Sequence, residues 1–312
     1  MSEPNATRAD LGDRLARGPL VLDGATGTEL TRRGVDTALP LWSATALTTA
    51  PDMVQKIHRD YVEAGADIIV ANTFRTSVRT LQRAGRFGEG AALNKTAVDL
   101  ARRASAAAAE SATDVAVIRP RRVLVAASVA PVEDCYRPEL VPDEKTLIEE
   151  HAQMMVWLSS AGPDLVWIET MNTVREARTA AAAAADAKLP LVVSFVVNEA
   201  GDLLNGERLV DAVAAIEPFD PLAVGLNCIP PAGMTTHLPR LRQATERPLA
   251  AYAHIGNPEP ILGWSFSSDI SPEAYADHAR RWLDAGVNIV GGCCGTGPDH
   301  IRAVRALFGD SG

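Results

Sequence analysis

Apolar residues along this chain collect in eight short, β-rich runs at fairly regular spacing: LVLDGAT (20–26), ADIIVANTF (66–74), RVLVAASVA (122–130), DLVWIETM (164–171), LPLVVSFVVN (189–198), LAVGLNCIP (222–230), PLAAYAHI (248–255) and VNIVGGCCG (287–295). Runs that are apolar throughout, without alternation, suit a sheet covered on both faces. Between them the pattern switches to helical spacing. PDMVQKIHRDYVEAGA (51–66) opens on Pro and ends at Gly65, and SPEAYADHARRWLDAG (271–286) has Ser271 as N-cap, Pro272 in the first turn and Gly286 as terminator. DEKTLIEEHAQMMVWLSSAG (143–162) and TVREARTAAAAAADAK (173–188) read as further helices, the alanine run at 180–185 being a good helix former that packs closely on a sheet.

Strand and helix alternate eight times with no break in composition. The chain therefore reads as α/β, a single (β/α)8 TIM barrel over residues 1–312, with 1–17 a flexible or peripheral N-terminal segment. An open doubly wound sheet would call for a glycine-rich phosphate loop, and none is present.

Composition narrows the function. With 47% hydrophobic and 22% charged residues, this is the profile of a globular chain with a large core. Thirty basic against 39 acidic residues give a formal charge of −9, which argues against nucleic acid as a partner; the short RPRR run at 119–122 reads as a solvated approach to a strand. No secretory signal and no apolar stretch of membrane-spanning length stand in the sequence. The four cysteines show no disulfide-framework spacing, so the expected setting is cytoplasmic and reducing, for a monomer or a homo-oligomer.

In a barrel of this type the active site lies at the C-terminal strand ends. Strand one ends there in Asp23, strand two in Asn72 and Thr73, and strand four in Glu169 and Thr170. Strand six ends in Asn227 and Cys228, strand seven in His254 and strand eight in Cys293 and Cys294. Three cysteines converge on one rim, which predicts a Zn²⁺ site with its fourth position open to substrate. The glycines around Cys293 and Cys294 are expected to break strand alternation so that both sulfurs reach one ion. A soft, thiolate-rich metal deprotonates an incoming thiol, pointing to attack by a substrate sulfur on an electrophilic carbon. Cys135 reads as a loop thiol. His254 reads as hydrogen-bonded in place, with a base or spare-ligand role as the alternative.

DGATGTEL (23–30), ADIIVANTF, GLNCIPP (225–231) and GGCCGTGPDHI (291–301) resemble, in the same order, the homocysteine S-methyltransferase family, and the likeness runs from about residue 18 to 308. The resemblance implies a zinc-dependent barrel that moves a methyl group to the sulfur of homocysteine, giving methionine. It assigns the metal to Cys228, Cys293 and Cys294, and the amino group of homocysteine to Asp23 and Glu169, where a buried ammonium would be paired. Gly24, Thr26 and Gly27 would form a tight loop whose N–H groups take the substrate carboxylate, with Asn227 counted beside them and Thr73 either helping there or satisfying its own strand end with its hydroxyl. Trp42 would offer an aromatic face to a cationic methyl donor, with ordinary loop packing as the alternative. Two loops depart from the family pattern: SVAPVEDCYRPE (128–139) and AHIGNPEP (253–260). The expected partners are homocysteine and a sulfonium donor, S-methylmethionine or S-adenosylmethionine. A betaine-type donor, a different small thiol acceptor, and a non-catalytic barrel with structural zinc remain the alternatives.

Overall fold

A computed structural model describes residues 4–111, 122–255, 257–259, 263–265 and 270–308. Each apolar run holds a strand: β1 (Leu20–Val21), β2 (Ile68–Ala71), β3 (Leu124–Val129), β4 (Leu165–Met171), β5 (Leu191–Phe195), β6 (Val224–Asn227) and β7 (Leu249–Ala253). A hairpin of β8 (Asn257–Glu259) and β9 (Gly263–Ser265) precedes the last barrel strand, β10 (Val287–Gly292). The order β1-β10-β7-β6-β5-β4-β3-β2 is parallel throughout, and a bridge from Leu22 to Ile68 joins the two ends into a closed ring. The chain is a (β/α)8 barrel.

The apolar runs serve both faces of that ring. Residues such as Val21, Ile69, Val125, Val166, Val193 and Val290 pack outward against the helices. Leu22, Ile68, Leu124, Trp167, Val192 and Ile289 fill the interior. The helices stop where their caps require. Glu144–Ala161 starts on Asp143, whose side chain accepts the Thr146 N–H, and ends at Gly162 with φ +69°. Pro272–Asp284 starts on Ser271, which accepts the Ala274 N–H, and Gly286 follows with φ +89°. In Val174–Asp186 the alanines 180, 181 and 184 are fully buried, so the alanine run is a packing surface.

The N-terminal segment, expected to be flexible or peripheral, forms a helix. Pro4–Arg17 is an α-helix laid across the barrel's N-terminal mouth. Leu11, only 1% exposed, enters the interior cluster with Leu20, Leu22, Leu222 and Ala223. Arg8 donates to the Asp220 carbonyl and Arg14 to that of Arg122, binding the helix to the segments that lead into β6 and β3. The helix thus closes the end opposite the candidate site. Residues 256 and 260 of the second divergent loop, and 119–121 of the basic run, lie outside the described residues.

Candidate active site

A cavity of about 360 Å³ opens at the C-terminal strand ends. Asp23, Gly24, Thr26, Gly27, Trp42, Glu169, Cys228, Cys293 and Cys294 all line it. Their convergence follows from the ring: β1, β4, β6 and β10 each end at this mouth, so residues up to 271 positions apart in sequence share one chamber (23 to 294).

Two carboxylates dominate its polar wall. Asp23 is buried and accepts the Val70 N–H at 2.8 Å. Burial holds its pKa well above the usual carboxylate range, and the nearby negative Glu169 adds to the rise. Glu169 accepts from the Ser128 hydroxyl at 2.5 Å and from the Tyr252 hydroxyl at 3.3 Å. Tyr252 in turn accepts the Trp167 indole N–H at 2.8 Å, so a polar chain in the barrel interior aims Glu169. Burial pushes Glu169 up to about 7, against the lowering effect of those two hydroxyls. Two acids raised in this way want a cation between them.

The backbone that delivers Glu169 is strained. Thr170 has φ +61°, a conformation that β-branched residues rarely adopt, and the β4–β5 register shifts between Ile168 and Met171. Asn227 holds this twist: its Oδ1 accepts the Thr170 N–H at 2.9 Å and its Nδ2 donates to the Thr170 hydroxyl at 2.8 Å. Asn227 was grouped above with the substrate-binding residues. It is fully buried, does not line the cavity, and spends its amide on Thr170. Thr73 also stands behind the wall. Its hydroxyl donates to the Ser128 carbonyl at 2.8 Å, tying the end of β2 to β3. Both act on the site through other residues.

The cysteines converge on the chamber. Cys228 and Cys293 are joined as a disulfide, their Cα atoms 5.9 Å apart, while Cys135 and Cys294 are free and buried. Gly291 and Gly292 do not break the strand: they remain in β10, paired with Tyr252 and Ala253 of β7. Close packing is their role, since a Cβ on Gly291 would stand 2.6 Å from the Leu22 Cβ and 2.8 Å from the Asp23 carbonyl. The turn comes at Gly295, φ +87°. With two of three sulfurs bonded to each other, no group of three His, Cys, Asp or Glu among the described residues stands ready for a metal. As thiols the three sulfurs fit a soft divalent ion, facing one cavity from two ring positions. Burial raises the Cys294 thiol well above its ordinary range, with Cys135 and Glu169 adding negative potential.

Several lining residues escaped the sequence reading. Ser128 and Tyr252 lie inside apolar runs, where only the alternation of a strand could have marked them as inward-facing. Phe74, missed likewise, stands edge-on to Trp42, ring centroids 6.2 Å apart; Tyr136 of the first divergent loop, which the sequence already offered as a second aromatic near the mouth, lines the cavity with them. Cys135, read as a loop thiol, lines the cavity too, and burial pushes it up to about 12. That loop is firmly held: Glu133 pairs with Arg79 and Arg83 at 2.9 and 2.6 Å, and the Val132 N–H donates to Glu176. His254 does not line the cavity, and burial lowers it to about 4, so it is neutral at physiological pH.

A closed (β/α)8 barrel with acids and sulfurs gathered at its C-terminal mouth defines a barrel enzyme of amino-acid and thiol chemistry. The profile of the homocysteine S-methyltransferase family matches residues 20–308, and the chain belongs to that family. It is 29% identical over 307 residues to homocysteine S-methyltransferase 2 of Arabidopsis thaliana, covering 92% of each chain. It is 30% identical to a selenocysteine Se-methyltransferase of Brassica oleracea var. italica, covering 94% of this chain and 92% of that one. The metallated form of the homocysteine methyltransferase MmuM from Escherichia coli superposes with a TM-score of 0.82 at 29% identity, covering 96% and 99% of the two chains. The oxidized form of MmuM gives 0.81 at 28% identity, covering 93% and 96%.

Proposed function

We propose that this enzyme transfers a methyl group from a sulfonium donor, S-methylmethionine or S-adenosylmethionine, to the sulfur of homocysteine, forming methionine, with Zn²⁺ held by Cys228, Cys293 and Cys294. The observation that carries the reading is one cavity lined by both the raised acid pair and the three sulfurs. An amino acid with a thiol side chain is the ligand that uses both.

Asp23 and Glu169 bind the ammonium, whose arrival returns their protons to solvent and offsets the cost of burying two negative groups. The loop at Gly24, Thr26 and Gly27 takes the carboxylate on its N–H groups. The bound metal would supply a deprotonated acceptor sulfur at neutral pH. The acceptor sulfur then attacks the methyl carbon. As the new S–CH₃ bond forms, the old bond breaks with its electron pair passing to the donor sulfur, which leaves as a neutral thioether. The protein's share is alignment and exclusion of water. Trp42, Phe74 and Tyr136 give the donor an aromatic enclosure suited to a cation. The need for free thiols favours a reducing, cytoplasmic setting.

The likeness to a selenocysteine methyltransferase supports a second reading, with another small thiol or selenol as acceptor. Purified enzyme, reduced and loaded with zinc, should form methionine from homocysteine faster with S-methylmethionine than with betaine, read by mass spectrometry. Faster turnover with betaine would overturn the donor. Product from selenocysteine or cysteine with none from homocysteine would overturn the acceptor.

A further inference from the structure

Among the charged side chains of the cavity, Arg75 has no function in the account above. It follows Phe74 at the end of β2, lines the chamber, and is half-buried. Its guanidinium carbon stands 5.5 Å from the centroid of the Phe74 ring. Its Nε is buried and has no hydrogen-bond partner, and Arg75 forms no ion pair among the described residues. The contrast with Arg137 is direct. That arginine lines the same cavity and is paired with Glu139. The chamber's acids are engaged as well: Asp23 by the Val70 N–H, Glu169 by two hydroxyls, and Asp134 by the Tyr136 N–H. A guanidinium offers five N–H donors in a planar fork that matches a carboxylate, and leaving a buried donor such as the Arg75 Nε unmet is costly.

We infer that Arg75 is the carboxylate receptor of the methyl-donor subsite, so that the preferred donor is a sulfonium that also carries a carboxylate. This rests on the sulfonium reading above and deepens it. The position points to the donor rather than the acceptor, because Arg75 stands against Phe74, which is edge-on to Trp42, the aromatic group that the sulfonium reading gives to the donor. The acceptor's ammonium is assigned to Asp23 and Glu169. A bare cation beside Arg75 would be repelled by it. A donor with its own carboxylate turns that repulsion into a charge-assisted pair and places its methyl group at a fixed distance from the anchor. Arg75 is thus a positioning and specificity residue.

Two sulfonium probes separate the possibilities: S-methylmethionine, which carries a carboxylate, and trimethylsulfonium, which does not. Calorimetric titration of each into enzyme without homocysteine tests the pairing independently of turnover. Arg75→Gln should weaken S-methylmethionine binding about 10- to 100-fold, the range of a lost charge-assisted hydrogen bond. Trimethylsulfonium binding should hold or tighten. Arg75→Lys, which keeps the charge and loses the fork, should fall between. In steady state the KM for S-methylmethionine should rise while that for homocysteine stays. Equal S-methylmethionine binding by wild type and Arg75→Gln would overturn the assignment, as would a rise confined to the homocysteine KM or parallel losses for both sulfoniums. Wild-type enzyme that binds S-methylmethionine through Arg75 yet makes no methionine would leave this inference standing and remove the transfer reading instead.

Discussion

At the scale of single residues, the site is organised around Glu169 and the groups that aim it. A carboxylate near 7 in the empty site is mostly charged only above that pH, so on the proposed assignment the ammonium of the acceptor finds its full partner there. The KM for homocysteine should therefore rise as pH falls below about 7, and Glu169→Gln should raise it above that pH, converge with wild type at low pH and so flatten the profile. A steeper rise in the variant than in wild type would remove Glu169 from the ammonium site. Stability should move the other way. The folded-state pKa lies above the unfolded one, so the native state binds more protons between about 4.5 and 7. Stability is thus lost as pH rises through that window, and Glu169→Gln should melt higher than wild type at pH 8 and nearly the same at pH 4. Asn227 gives a second test at this scale. Asn227→Ala frees Thr170 from its left-handed twist and leaves buried groups unmet, at ~1–3 kcal/mol. A thermal melt should show the loss, and homocysteine affinity should fall although Asn227 does not line the cavity. Unchanged affinity would show that Glu169 is aimed without it. The motif NC marked this asparagine in the sequence, but not its partner. A backbone twist at Thr170 has no signature in a run of apolar residues that reads as plain strand.

Among the elements, the eight strands were legible because a sheet covered on both faces needs unbroken apolar runs, and their order followed from the barrel. Helix ends were legible where Pro, Ser or Asp and Gly stand at caps, as at 271–286 and 143–162. The N-terminal helix was not. Pro4–Arg17 is mostly polar, and its one deeply buried leucine gives no periodic signal until the open barrel mouth beneath it is known. Leu11→Ala should cost ~2–5 kcal/mol, the usual range for emptying a buried leucine site. Urea unfolding should register this while kcat and both KM values hold, because the site lies at the opposite mouth. A change in KM without a change in unfolding midpoint would contradict that placement. The glycine pair taught a related lesson. Gly291 and Gly292 were expected to break strand alternation, yet they permit close packing on β1 and Thr296, a role visible only once neighbouring strands are in place.

Considered as one molecule, the barrel makes β6 and β10 deliver sulfurs to a shared chamber, and their redox state decides what that chamber can hold. A disulfide between Cys228 and Cys293 and a metal held by the same sulfurs exclude each other, since coordination requires thiolates. The metallated and the oxidized form of MmuM superpose almost equally well on this chain, with TM-scores of 0.82 and 0.81. Reduced protein should bind about one zinc per chain by metal analysis, and oxidised protein much less. Binding that favours the native state raises stability by RT ln(1 + [L]/Kd), about 2.7 kcal/mol at a hundredfold excess over Kd. Adding zinc to reduced enzyme should therefore raise the melting temperature by several degrees, and a chelator should reverse the rise. The oxidised enzyme should respond to neither. Cys293→Ser should lose both the metal and the thermal response, and also the sensitivity to oxidation, because the same sulfur serves each. Full zinc occupancy in oxidised protein, or in Cys293→Ser, would mean that the metal is bound elsewhere and that the chamber's sulfurs serve a different chemistry.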